Sequence, residues 1–158
     1  MKYWFAAFVA AFFGLVMSSA RAADDTAISR GAYIFAAADC ATCHTDAANN
    51  GAPLAGGRAL VTKFGTFYTP NITPDPVNGI GRWSLADFQR ALRDGKGRNG
   101  QNLYPVFPFA SYTGMSDRDI ADLYAYVMAQ KPDPTPNRAD EIKFLFAFRP
   151  LLVFWRIL

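Results

Sequence analysis

At 158 residues the chain is long enough for one domain, and 51% of it is hydrophobic. Its formal charge of +3 depends on Lys2 and Arg21 near the N-terminus; beyond residue 23 it holds fourteen basic and thirteen acidic side chains. That near balance gives no ground for a nucleic-acid partner. No internal repeat, phosphate loop or hydrolytic triad is visible, and with two cysteines and one histidine a four-ligand zinc cage is out of reach.

Residues 2–20 carry a short basic start, an apolar run and then small residues, and Ala20-Arg21-Ala22 is an A-x-A cleavage pattern. Residues 1–22 are expected to be a secretory signal peptide, cut after Ala22 or Ala23. The apolar run, Tyr3 to Met17, is about 15 residues, short of the ~20 that a spanning helix needs. The expected location is the periplasm, in association with the inner membrane or free of it.

Residues 26–39 read as a helix, because Ile28, Ala32 and Phe35 recur at helical spacing. Gly31 in mid-helix costs about 1 kcal/mol against Ala, which points either to close approach of another element or to a plain surface glycine. The helix runs into Cys40-Ala-Thr-Cys43-His44. C-x-x-C-H is the pattern of covalent c-type haem attachment. Two thiols a helical turn apart can add to the two vinyl groups of one haem, and the next imidazole then faces the iron. In bacteria that attachment takes place outside the cytoplasm, in keeping with the leader. The competing reading, a redox dithiol, would want a βαβ pattern around it, and none is visible.

With His44 as the lone histidine, a second axial ligand must be of another kind, and methionine is the usual partner in electron-transfer haem proteins. Of Met1, Met17, Met115 and Met128, the first two fall in the leader.

Residues 45–82 are rich in Gly, Pro, Asn and Thr and read as irregular, with turns at Asn49-Asn50-Gly51, Gly56-Gly57 and Asn78-Gly79. Loops of this kind can wrap a bound macrocycle. Ser84-Leu-Ala-Asp87 is a capping box in its acidic form and opens a helix from Leu85 to Arg93, ended by Gly95. Trp83, just before the cap, is read either as a hydrophobic staple or as support for a haem propionate through its indole N–H.

Residues 103–115 form an aromatic, proline-punctuated loop whose apolar side chains need a surface to cover. Ser116-Asp-Arg-Asp119 is a second capping box, opening a helix to about Gln130. Met128 lies on that helix's apolar stripe, where core packing is its expected role. Met115 ends the aromatic loop, where a side chain can project toward an iron, and it is the expected axial ligand. Residues 133–142 read as a stiff proline-rich linker. Residues 143–158 form an apolar tail, interrupted by Arg149-Pro150 and too short to span a bilayer. It is expected to dock on a partner, lie at a membrane surface or fold back on its own domain.

From Ser29 to about Pro132 the chain resembles class I c-type cytochromes, and in particular the haem modules of cytochrome subunits of periplasm-facing bacterial dehydrogenases for alcohols, gluconate and aldehydes. The residues that carry the resemblance include Arg30-Gly-Ala-Tyr, Ala38-Asp-Cys-Ala-Thr-Cys-His, Gly56-Gly, Asn71-Ile-Thr-Pro-Asp, Trp83-Ser, Ala91-Leu-Arg, Leu103-Tyr-Pro and Leu123-Tyr-Ala-Tyr. Phe107 stands where the loop of those subunits commonly has methionine. The resemblance implies that the first and last helices cross closely, with Tyr126 beside Gly31. It also implies a carbonyl near Pro53 as acceptor for His44 Nδ1, the alternative being a plain turn proline.

The expected fold is all-α and cytochrome c-like: three to four helices with long loops around one covalent haem c, in a domain over residues 26–132. Cys40 and Cys43 would form the thioethers, His44 and Met115 the axial pair, and Pro53 and Trp83 would support the pocket. The expected function is single-electron transfer without catalysis of its own. Electrons would come from a dehydrogenase catalytic subunit and pass to another cytochrome, a quinone or a terminal oxidase. The alternatives are a free periplasmic shuttle and a ligand-binding or peroxide-reducing haem protein.

Overall fold

The computed structural model describes residues 26–143 and 148–152. The expected signal peptide and most of the apolar tail lie outside the described residues. Helix α1 covers residues 26–37, and the five-residue α2 (Cys40–His44) follows after a turn. Later come α3 (Leu85–Asp94) and α4 (Asp117–Met128).

The fold is set by α1 crossing α4. A Cβ on Gly31 would lie 2.0 Å from the Asp122 carbonyl oxygen and 2.7 Å from Tyr126 Cβ. Only a residue without a side chain lets the two backbones approach this far. Around the crossing, Arg30 donates to both Asp122 carboxylate oxygens, at 2.6 and 2.9 Å, and the Phe35 and Tyr126 rings pack at 5.0 Å. Phe35, Leu54, Ile80, Leu92, Ile120, Leu123 and Val127 form one buried cluster, so the loops on either side of residue 70 contribute to the same core as the helices.

Local signals explain the helix ends. Ser84 Oγ accepts from the Asp87 N–H while Asp87 accepts from the Ser84 N–H, a complete capping box. Gly95 closes α3 at φ 57. Ser116 Oγ accepts from the Asp119 N–H at the start of α4. The aromatic loop, expected to be free of helix, contains one 3₁₀ turn, Phe109–Ser111.

The expected helical fold holds in outline, with four helices among the described residues, and a small three-stranded antiparallel sheet is present beside them. Strand β1 (Ala59–Thr62) pairs with β2 (Gly65–Tyr68), which pairs with β3 (Glu141–Ile142). Four-residue strands are too short for a period-2 pattern to stand out. Their connection, Lys63-Phe64, also lacks the usual hairpin turn residues.

The proline-rich stretch expected to be a linker is laid along the domain as a strap. Asn71 Nδ2 donates to the Asp133 and Thr135 carbonyls, Asn78 Nδ2 to the Pro134 carbonyl, and the Tyr68 N–H to Asp140. Arg138 stacks on the Tyr68 ring at 3.8 Å. The described part of the tail folds back as well: Arg149 donates to the Asn102 carbonyl at 3.0 Å and lies 4.4 Å from the Tyr104 ring centre. Among the described residues no helix is long and apolar enough to cross a membrane.

Candidate functional site

The site begins where α1 ends. Asp39 adopts φ 55, a left-handed conformation that Asp tolerates better than most residues, and its carboxylate accepts from Thr42 Oγ1. This turn redirects the chain so that Cys40 and Cys43 share one turn of α2. Both are free thiols and half-buried. Burial pushes the Cys40 thiol up to about 11, and the nearby Asp39 and Cys43 add to the effect. A raised thiol is the reverse of what a redox dithiol needs, since its attacking cysteine has a lowered pKa. No group of three or more His, Cys, Asp or Glu side chains able to hold a metal ion occurs among the described residues.

His44 is held from two sides. Its carbonyl accepts from the Gly56 N–H at 2.8 Å. Its Nδ1 lies 2.8 Å from the Pro70 carbonyl oxygen. A carbonyl can only accept, so Nδ1 carries the proton and Nε2 is left with its lone pair for a metal. Burial lowers the imidazole's pKa, partly opposed by the Pro70 bond. The net lowering favours the neutral ring at neutral pH.

The acceptor is therefore Pro70, and the expectation for Pro53 is corrected in this respect. The Ala55 N–H returns to the Ala52 carbonyl, which places exposed Pro53 second and Leu54, at φ 63, third in a turn of type II character. Pro70 reaches His44 because Gly56, at φ 73, presents no side chain: a Cβ there would lie 2.5 Å from the Pro70 carbonyl carbon.

Met115 is half-buried and packs on the edge of the core, as do Ile34, Cys40, Ile72, Phe107 and Tyr112. Its backbone carbonyl accepts from Arg93 Nη2 at 2.7 Å, and Arg93 Nη1 pairs with Asp117 at 2.7 Å. The aromatic loop is tied to the cysteine turn by Tyr112, whose hydroxyl donates to the Ala38 carbonyl at 3.2 Å. Burial, and then the charges of Cys40 and Cys43, raise the Tyr112 pKa. Trp83 is half-buried against the core, and its carbonyl accepts from Tyr124.

The donor set fits an iron porphyrin. Two thiols share a helical turn, the next residue is an imidazole with Nε2 unengaged by Pro70, a thioether stands at the end of the aromatic loop, and Cys40 and Met115 pack with apolar and aromatic side chains on the core edge. Pro70, Gly56, Tyr112 and Arg93 were not singled out by sequence patterning as parts of this site. Each acts through contacts distant in sequence and lies in a stretch read as loop or ordinary helix.

Residues 28–131 match the family model described as Cytochrome c. The chain is 48% identical over 128 residues to one subunit of the nicotinate dehydrogenase of Pseudomonas putida, covering 81% of this chain and 11% of that protein. It is 43% identical over 131 residues to the fructose dehydrogenase cytochrome subunit of Gluconobacter japonicus, covering 82% and 27%. It is 41% identical over 133 residues to a diheme cytochrome c-type protein of Cereibacter sphaeroides, covering 82% and 45%. The chain thus spans less than half the length of these relatives.

Proposed function

The chain belongs to the cytochrome c family, and on that premise we propose that it binds one haem c covalently and serves as the electron-accepting cytochrome of a periplasmic dehydrogenase. Cys40 and Cys43 would hold the macrocycle as thioethers, and His44 Nε2 and Met115 Sδ would hold its iron. Haem c supplies reversible one-electron iron chemistry. The chain's own residues fix the imidazole through Pro70, set Met115 through Arg93, and exclude water with Phe107, Tyr112 and Ile72.

The observation that carries this reading is the His44 Nδ1–Pro70 bond. It leaves Nε2 of the lone histidine free for a metal, on the turn that bears both thiols. The names of the relatives support a dehydrogenase catalytic subunit as the electron donor. The acceptor would be another cytochrome, a quinone or a terminal oxidase.

The test is expression in cells able to attach haem c. The denatured, organic-extracted protein should keep its haem, and Cys40→Ala with Cys43→Ala should lose it. Free extractable haem in the unaltered protein would sink the covalent reading. Purification from the native membrane fraction should bring down a dehydrogenase catalytic subunit, and truncation after residue 143 should release it. Retention of the subunit by the truncated chain would remove the tail from the interface.

A further inference from the structure

The Pro70–Asn71 peptide unit is bonded at both ends. Its carbonyl accepts from His44 Nδ1 at 2.8 Å, and its N–H donates to Asn137 Oδ1 at 2.7 Å. Asn137 belongs to the strap and lies beyond residues 28–131, the segment matched by the family model. We propose that Asn137 is a positioning residue for His44, acting through this one peptide plane to orient the imidazole and tune the iron's potential. The inference rests on the haem reading above.

Four further contacts make the peptide a fixed relay. Gly56 packs on it closely enough that a Cβ would lie 2.5 Å from the Pro70 carbonyl carbon and 2.7 Å from the Asn71 nitrogen. The Asn71 side chain, in a residue only 2% exposed, grips the strap through the Asp133 and Thr135 carbonyls. Asn137 Nδ2 donates to the Asn78 carbonyl at 2.6 Å, which sets its amide so that Oδ1 is the atom offered to Asn71.

The electronic consequence has a sign. Hydrogen bonds in series polarise one another, so an acceptor on the N–H makes the carbonyl of the same peptide a better acceptor. A stronger bond from His44 Nδ1–H raises the basicity of Nε2. A more basic axial ligand favours the oxidised iron and lowers the potential. Removing the Asn137 acceptor therefore raises it.

Asn137 is exposed, so its variants are expected to fold. Asn137→Ala removes the acceptor. Asn137→Asp keeps an acceptor oxygen while removing the donor to Asn78. Midpoint potentials are measured by spectroelectrochemistry on the haem-loaded full chain, alongside the solvent exchange of the His44 Nδ1 proton by NMR. Asn137→Ala should shift the equilibrium toward reduced iron by about tenfold, about 59 mV for a one-electron couple, and speed Nδ1–H exchange. Asn137→Asp should show neither change in that direction. An unchanged potential in Asn137→Ala, or an equal rise in both variants, overturns the relay. Failure of the haem reading is seen separately, as absence of haem in the denatured protein before any potential is taken.

Discussion

Gly31 meets Asp122 backbone to backbone: a Cβ on Gly31 would lie 2.0 Å from the Asp122 carbonyl oxygen. Because that atom belongs to a helix, it cannot swing aside as a side-chain tip would. Gly31→Ala is therefore expected to cost at least the ~1–3 kcal/mol typical of overpacking, despite alanine's better helix propensity. Urea unfolding of the haem-loaded protein measures it. A midpoint equal to or above that of the unaltered chain would mean that the helices cross elsewhere.

Asp122 also sets an acid limit. The hydrogen bonds from Arg30 hold its carboxyl below the usual carboxylate range, against a smaller opposing effect of burial. A folded pKa below the unfolded one gives stability that is present above the unfolded value and lost as pH falls through the folded value. Asp122→Asn should lower stability at neutral pH and flatten the acid limb of the stability–pH curve. Parallel acid limbs in both proteins would refute the assignment.

Met115→Ala should open the sixth position. Carbon monoxide should then bind the reduced protein promptly, as it should not in the unaltered one, and the low-spin spectrum should be lost. If the low-spin spectrum persists and carbon monoxide stays excluded, another side chain ligates the iron.

Arg93→Leu is expected to give a weaker form of the same change. It removes the bond to the Met115 carbonyl and the pair with Asp117 together. Carbon monoxide binding should lie between that of the unaltered protein and Met115→Ala. Asp117→Asn, whose side chain is 80% exposed, should leave it near the unaltered value. Equal binding by Arg93→Leu and the unaltered protein would show that the methionine loop holds its place without the guanidinium.

The features legible in the sequence are those whose cause lies within a few residues. The Ser84–Asp87 capping box, the Gly95 stop and the one-turn spacing of Cys40 and Cys43 are of this kind. Gly31 against Tyr126 was legible only because the family resemblance joined two distant helices. The bonds of Pro70, Asn71 and Asn137 left no such trace. They join residues 26 and 66 positions apart, and each residue alone reads as turn material. The sheet was missed for a related reason. The Glu141–Ile142 strand owes its place to Gly65, where a Cβ would lie 2.3 Å from the Glu141 carbonyl oxygen, and not to any alternation of its own.

The strap also decides where a mechanical load is felt. Any pull passed on through Lys143 reaches the two-residue Glu141–Ile142 strand before it reaches α4. That strand pairs over two residues, and its release would lengthen the tether while Asn71 still clasps Asp133, Thr135 and Asn137. Strain arriving at that strand can thus be taken up without loosening the peptide that holds His44. The strap works as a strain relief, with the hairpin edge as its yielding stitch and Asn71 as its knot.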